Sequence, residues 1–263
     1  MIFNIKSSQK LFRLKFFGIF FVFIFNFQNA FALEIWNSEQ GIAMFNSSQY
    51  KNDFFQLANF YQAQENPLYC SSASALIVKN ALFYPEIPSQ NSSETIKPDG
   101  TKILFPLYIS QHEFFNDKTE TIKEKSVIDF QKKSTTLSPN DFDPGLNLSD
   151  FAKILKIHKI KSKIYHQTEF NENEINKFRE VLKDILNDKN KFLIANFDGK
   201  IIQAKTNGHI SPIVAFDEIS DSLLILDVAL HKNQWYWVKV ADFVKAMNTI
   251  DGKNFRGYLI VWR

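Results

Sequence analysis

The sequence predicts an α+β domain, a helical part followed by an antiparallel sheet. Three observations predict it. Helical apolar stripes recur over the first two thirds of the chain, three strand-like apolar runs follow at residues 192–197, 209–216 and 223–229, and a short polar turn joins the last two runs as a hairpin.

The elements follow in order. Residues 1–32 read as a secretory signal: Lys6, Lys10, Arg13 and Lys15 form a basic front, residues 16–25 are apolar, and Ala30-Phe31-Ala32 is a small-x-small cleavage pattern. An uncleaved membrane anchor is the alternative. No later run reaches the roughly 18 apolar residues that a span requires, so the expectation is one periplasmic or secreted domain over residues 33–263, cut after Ala32. Phe54, Phe55, Leu57 and Phe60 show helical spacing, and a second stripe, Ala73, Leu76, Ile77, Asn80 and Ala81, runs from residue 71 to 83, where Pro85 ends it. Residues 88–101 read as a polar loop turning at Pro98-Asp99-Gly100, and residues 132–147 as an irregular cover beside a cleft. The aspartates of that second region lack the alternation and closing glutamate of a calcium loop. Ser149 is the expected N-cap of a helix carrying Phe151, Ile154, Leu155 and His158, and a strand is expected over 162–166. Ile175, Phe178, Leu182, Ile185 and Leu186 mark another helix. After the three strand runs, a helix over 240–247 and a strand over 257–262 close the domain.

Charge narrows the function. The chain carries +3 formally, but four of its 31 basic residues lie in the first 32, leaving 27 against 28 acids. That balance argues against nucleic acid as a partner. It also assigns the Lys-rich stretch 153–161 to the wet face of a helix.

Cys70 is the single cysteine. In an exported protein an unpaired thiol is open to oxidation, so it is either a small buried hydrophobe or a nucleophile. It stands at a predicted helix start, where free N–H groups and the dipole favour a thiolate. A base must then come from His112, His158, His166, His209 or His231. His158 and His166 read as structural or surface residues, His231 as a surface residue, and His112 stays open in a polar loop. His209 begins a strand 139 residues after Cys70 (209 minus 70), within the roughly 130–150 residues of papain-type enzymes. Asp227 sits in an apolar run, where a carboxylate needs a partner, and the hairpin could bring it toward His209; a strand-end acid capping a turn is the alternative. Gln64, six residues before Cys70, stands where papain-like folds carry their side-chain oxyanion donor, so the similarity makes it a candidate for that role. No Gly-x-Ser-x-Gly elbow, His-Glu-x-x-His or cysteine pair occurs, so neither a serine hydrolase nor a zinc site is expected.

These residues resemble the phytochelatin synthase family, within the papain-like cysteine peptidases. The resemblance is carried by Asn66-Pro67-Leu68-Tyr69-Cys70, Asn80-Ala81-Leu82, Phe114-Phe115-Asn116-Asp117-Lys118-Thr119, Asn196-Phe197, Gly208-His209-Ile210-Ser211-Pro212-Ile213, Leu226-Asp227-Val228-Ala229, Trp237-Val238, Ala246-Met247-Asn248-Thr249-Ile250-Asp251 and Arg256-Gly257-Tyr258. It implies a papain-like fold and glutathione as substrate. Cys70 would attack the Cys–Gly carbonyl and release glycine, leaving a γ-Glu-Cys acyl-enzyme for water or for the amine of a second glutathione. It also implies the short bacterial form, without the cysteine-rich C-terminal extension, in which hydrolysis is prominent. On the same ground no cofactor is required, and heavy metals such as cadmium or zinc would act only through glutathione thiolates. Asp251 and Arg256 match positions that hold the γ-glutamyl ammonium and carboxylate, with an ordinary salt bridge as the alternative. Ser71 stands where many members have glycine, so it is expected to crowd the acyl pocket or alter the turn. Gly199, followed by Lys200, stands where many carry arginine, ten residues before the histidine, which would tilt the protein toward hydrolysis. A catalytically weak glutathione or thiol–metal binder, and a papain-like peptidase on other peptides, remain alternatives. No stable membrane association is expected after signal cleavage, and a homodimer stays open.

Overall fold

Seven strands drawn from both ends of the chain form one wholly antiparallel sheet in the computed structural model. It describes residues 33–84, 86, 92–106, 109–123 and 145–263. The strands are β1 (Glu34–Ile35), β4 (Lys161–His166), β5 (Lys191–Asp198), β6 (Gly208–Asp217), β7 (Ser222–Ile225), β8 (Tyr236–Lys239) and β11 (Gly257–Trp262), in the order β1-β8-β7-β6-β5-β11-β4. Two small ribbons stand apart, β2 (Ser92–Ile96) with β3 (Lys102–Pro106), and β9 (Ile250–Asp251) with β10 (Asn254–Phe255). The described residues all fall within one compact unit. Among the described residues no helix is long and apolar enough to cross a membrane. The signal segment, the Pro85 stop and most of the irregular region 132–147 lie outside the described residues.

Helices cover both faces of the sheet, so the expected order of helices first and sheet afterwards is refined to a sheet between two helical layers. On one side lie α1 (Glu39–Ser47), α2 (Asn52–Ala58), α3 (Cys70–Phe83), α4 (Gln111–Phe114) and α5 (Leu148–Ile157). On the other lie α6 (Glu172–Ile185) and α7 (Val240–Met247). The alternation of β5 shows the division. Phe192 and Ile194 enter the first core, while Leu193, Ala195 and Phe197 enter the second. A strand buried on both faces reads as a continuous apolar run.

The two helices expected from residues 151–158 and 175–186 are α5 and α6. Asn147 caps α5 rather than Ser149: its Oδ1 accepts the Asp150 N–H at 3.0 Å. The cap must lie three residues before that donor, and Leu148, between the two candidates, is already buried in the helix. His158 closes α5, with its ring stacked on Phe114 at 4.6 Å and Nε2 hydrogen-bonded to the Phe114 carbonyl at 2.9 Å.

Helix α3 is deeply buried, with Ser71 through Val78 and Asn80 all enclosed. Leu76, Ile77 and Val78 are fully enclosed, each worth about 1.5–3 kcal/mol relative to exposure. Two of its three serines, weak helix formers, are placed by their hydroxyls. Ser72 Oγ donates to the Tyr69 carbonyl at 3.0 Å, and Ser74 Oγ to the Ile210 carbonyl of β6, also at 3.0 Å. The second bond ties α3, one turn beyond Cys70, to the start of β6.

Candidate active site

Cys70 is the first residue of α3, and its N-cap residue, Tyr69, offers no side-chain hydrogen bond. The free N–H groups of the first turn are left to whatever occupies the space before the helix. Cys70 is half-buried and unpaired, and it lines the same cavity as His209, close enough to favour the charged imidazole. His209, the second residue of β6, is 3% exposed. Its Nε2–H donates to Asp227 Oδ1 at 2.8 Å, with Ser211 Oγ 3.0 Å from the same nitrogen. Both contacts fall on Nε2, which leaves Nδ1 available. The Phe197 ring stands edge-on to the imidazole at 5.6 Å and fixes its plane.

Asp227 is fully buried. It lies two residues beyond β7, which is shorter than the expected run over 223–229. The reason is a register shift between Ile213 and Ala215 in the β6–β7 pairing. After it, Leu226 N–H still donates to the Pro212 carbonyl at 3.0 Å, and the next residue turns inward. Bulges beside functional sites re-aim side chains in this way. Tyr61 Oη donates to the Asp227 carbonyl at 2.9 Å and Gln64 N–H to the Val228 carbonyl at 2.8 Å. The segment before Cys70 is thereby fixed to the segment bearing the acid.

Burial opposes charge on both partners, and their pairing overcomes it. For His209, desolvation favours the neutral ring, but the Asp227 carboxylate and Cys70 outweigh it and push the pKa up to about 10. For Asp227, desolvation is outweighed by His209, the Ala229 N–H and the Asn233 amide, which hold the carboxyl below its usual range.

A cavity of about 760 Å³ opens beside this group, within the range of small-molecule sites. Gln64, Cys70 and His209 line it together with Asn196, Gly208, Lys232, Asp251 and Arg256. Arg256 Nη1 donates to Asn196 Oδ1 at 2.8 Å and lies 3.1 Å from Asp251 Oδ2, while Asn196 Nδ2 donates to that same Oδ2 at 2.7 Å. Of the buried side-chain atoms without a hydrogen-bond partner, Gln64 Oε1, Thr206 Oγ1 and Arg256 Nε belong to residues that line this cavity. Orphaned polar atoms are rare in protein interiors, and three around one cavity mark it as a ligand site. Among the described residues no group of three or more His, Cys, Asp or Glu side chains is arranged to hold a metal ion.

The structure thus brings together Cys70, His209, Asp227, Gln64, Asp251 and Arg256. The Gln64 amide donates to the Asn66 carbonyl at 2.9 Å, which leaves its second N–H uncommitted. Ser71 does not join them. It is 1% exposed, its hydroxyl has no partner, and it is absent from the cavity lining, because the helix turns it inward. His112 pairs instead with Tyr69 Oη at 3.3 Å and with Glu65 at 3.4 Å, and it does not line the cavity. His166 bonds the Phe255 carbonyl at 2.6 Å. Asn196, Ser211 and Asn233 were not foreseen. Asn196 and Ser211 had a signal, since both stand in blocks that carry the family resemblance and Ser211 lies two residues from His209, on the same side of a strand; Asn233 had none.

The phytochelatin synthase family profile matches residues 32–258. Three curated relatives are similar over most of the chain. Glutathione gamma-glutamylcysteinyltransferase 1 of Arabidopsis thaliana is 25% identical over 86% of this chain and 41% of its own length. Glutathione gamma-glutamylcysteinyltransferase 3 of Lotus japonicus is 27% identical over 79% and 37%. The glutathione gamma-glutamylcysteinyltransferase of Schizosaccharomyces pombe is 28% identical over 80% and 43%. The chain spans about two fifths of the length of these relatives.

Proposed function

This chain belongs to the phytochelatin synthase family, and from that premise we propose that it is an exported glutathione γ-glutamylcysteine dipeptidyltransferase and hydrolase of papain-like fold. The observation that carries the reading is a buried imidazole between Cys70 and the Asp227 carboxylate, at the wall of a cavity that also presents an Arg–Asp–Asn network. In the proposed reaction the Cys70 thiolate attacks the Cys–Gly carbonyl carbon. The Cys70 N–H and the uncommitted Gln64 N–H receive the oxyanion. His209 passes its proton to the departing glycine nitrogen as the C–N bond breaks, leaving a γ-Glu-Cys thioester. Water, deprotonated by His209, then releases γ-Glu-Cys, or the amine of a second glutathione takes the acyl group. Arg256 suits the γ-glutamyl carboxylate and Asp251 its ammonium.

Hydrolysis is the favoured outcome in this reading. A Cβ at Gly199 would lie 2.2 Å from Thr206 Oγ1 and 2.6 Å from the Thr206 carbonyl oxygen, so the turn that would carry a cation for a second glutathione accepts no side chain. Heavy metals act in this proposal as glutathione thiolates, and residues 1–32 direct the domain to the periplasm or exterior, where they are removed.

Mass spectrometry after brief mixing with glutathione tests the reading. The expected result is a γ-Glu-Cys adduct on Cys70 and free glycine, both lost in Cys70→Ala. Binding without turnover would overturn the enzyme reading. Abundant polymer with cadmium and little free γ-Glu-Cys would overturn the preference for water.

A further inference from the structure

Only one oxygen of Asp227 faces the imidazole. Oδ1 accepts from His209 and, at 2.7 Å, from the Ala229 N–H; Oδ2 accepts from Asn233 Nδ2 at 3.1 Å. Asn233 is buried, and its own Oδ1 accepts the Lys205 N–H at 3.1 Å. Lys205 belongs to the tight segment 199–207, closed by Gly199 N–H to the Asn207 carbonyl at 2.9 Å and Ala204 N–H to the Gly199 carbonyl at 2.8 Å. Thr206 and Asn207, the last residues of that segment, line the cavity. One uncharged amide therefore donates to the acid and accepts from the cavity wall.

We propose that Asn233 is a positioning residue for the thiol–imidazole–carboxylate chain: it holds the second oxygen of Asp227 so that the first stays on His209, and it locks the acid to the cavity wall through Lys205. This rests on the reading of Cys70, His209 and Asp227 as nucleophile, base and orienting acid. A carboxylate anchored through one oxygen alone rotates, and each rotation removes the partner that keeps the buried imidazolium charged. The other titratable groups facing the pair are Cys70 of α3 and the wholly buried Tyr236 of β8, whose phenol is pushed up by burial and by Asp227. Tyr61 donates to the Asp227 carbonyl, and its phenol is pushed up by burial and, to a smaller extent, by the Asp227 charge.

Alkylation of Cys70 by iodoacetate over a range of pH reads this directly and needs no glutathione. The anionic reagent is drawn to a thiolate beside an imidazolium, so its rate falls as His209 loses its proton. In Asn233→Ala the alkaline limb is expected to move down by about one pH unit, a roughly tenfold weaker hold on the proton. Glutathione cleavage is expected to lose about tenfold or more in kcat with KM nearly unchanged. Asn233→Asp keeps the shape. While the new carboxyl is protonated it still donates to Asp227, so this variant is expected to match the wild type at low pH and to fail as it ionises. An unmoved alkaline limb in folded Asn233→Ala overturns the proposal, as does a loss in Asn233→Asp that is equal at every pH. If Asn233→Ala does not fold, the pH course of Asn233→Asp decides alone. A shifted limb in a protein that cleaves no glutathione leaves the positioning role intact and overturns the substrate reading.

Discussion

A methyl group at position 208 would lie 2.8 Å from Arg256 Nη2 and 2.9 Å from Nη1. The atoms it meets are the far end of a flexible side chain, so the fold can yield at little cost. The guanidinium cannot yield without leaving Asn196 and Asp251, to which it is held at 2.8 and 3.1 Å. Gly208→Ala is therefore expected to leave Tm nearly unchanged while raising KM for glutathione on the order of tenfold, about 1.4 kcal/mol of binding. Arg256→Lys is expected to act in the same direction, since a point charge does not replace a planar fork. Steady-state kinetics beside thermal unfolding separate the two effects. A fall in Tm with unchanged KM in Gly208→Ala would show that the guanidinium is structural and sink its assignment to the substrate.

Helix α3 and strand β6 share the burden of holding Cys70 against His209, and the bond from Ser74 Oγ to the Ile210 carbonyl spans them one turn beyond the cysteine. Both ends are buried, so Ser74→Ala leaves a carbonyl without its donor at a cost of about 1–3 kcal/mol. It is expected to lower urea stability by that amount and also to slow Cys70 alkylation; a stability loss with unaltered alkylation would show that the helix position does not depend on this bond. The serine's role was hidden in the sequence, where Ser71, Ser72 and Ser74 differ only in the direction the helix turns them. Periodic elements were more legible. The helix over 240–247 and the strand over 257–262 have the bounds that their apolar spacing gives, and α5 and α6 follow their stripes. Helix α1 showed no such stripe because it buries only Gly41 and Met44. The two-sided covering of the sheet was illegible for a related reason, since a continuous apolar run carries no period that says which face meets which helix. In the site, Cys70, His209 and Asp227 could be found because each is costly or scarce where it stands. Asn196 stands in a block that carries the family resemblance but shows no role until the fold pairs it with Arg256 and Asp251, and Asn233 is an ordinary asparagine until it meets Asp227 and Lys205.

The stability of the whole domain carries the cost of a carboxyl far from the cavity. Asp53, in α2, is fully buried, and neither of its oxygens has a hydrogen-bond partner. Burial, with the nearby Asp188 charge adding to it, raises its pKa well above the usual value. Above the unfolded value of about 3.9 the unfolded chain releases this proton while the folded one keeps it, so stability falls as pH rises toward the folded pKa and stays low beyond it. Each pH unit in that window costs about 1.4 kcal/mol, and about 1 kcal/mol moves Tm by roughly 2–4 °C at this chain length. Asp53→Asn cannot ionise, so it is expected to raise Tm at pH 7 by several degrees and to lose that advantage near pH 4. Thermal unfolding of both proteins at the two pH values checks it. A gain of equal size at pH 4 and pH 7 would point to packing and exclude the buried charge as the cause. A loss at both would mean that the carboxyl has a partner on which α2 depends. Since α2 is followed directly by the segment that bears Tyr61 and Gln64, the same substitution is expected to leave the alkaline limb of Cys70 alkylation in place, because the energy it recovers is global and does not pass through Asp227.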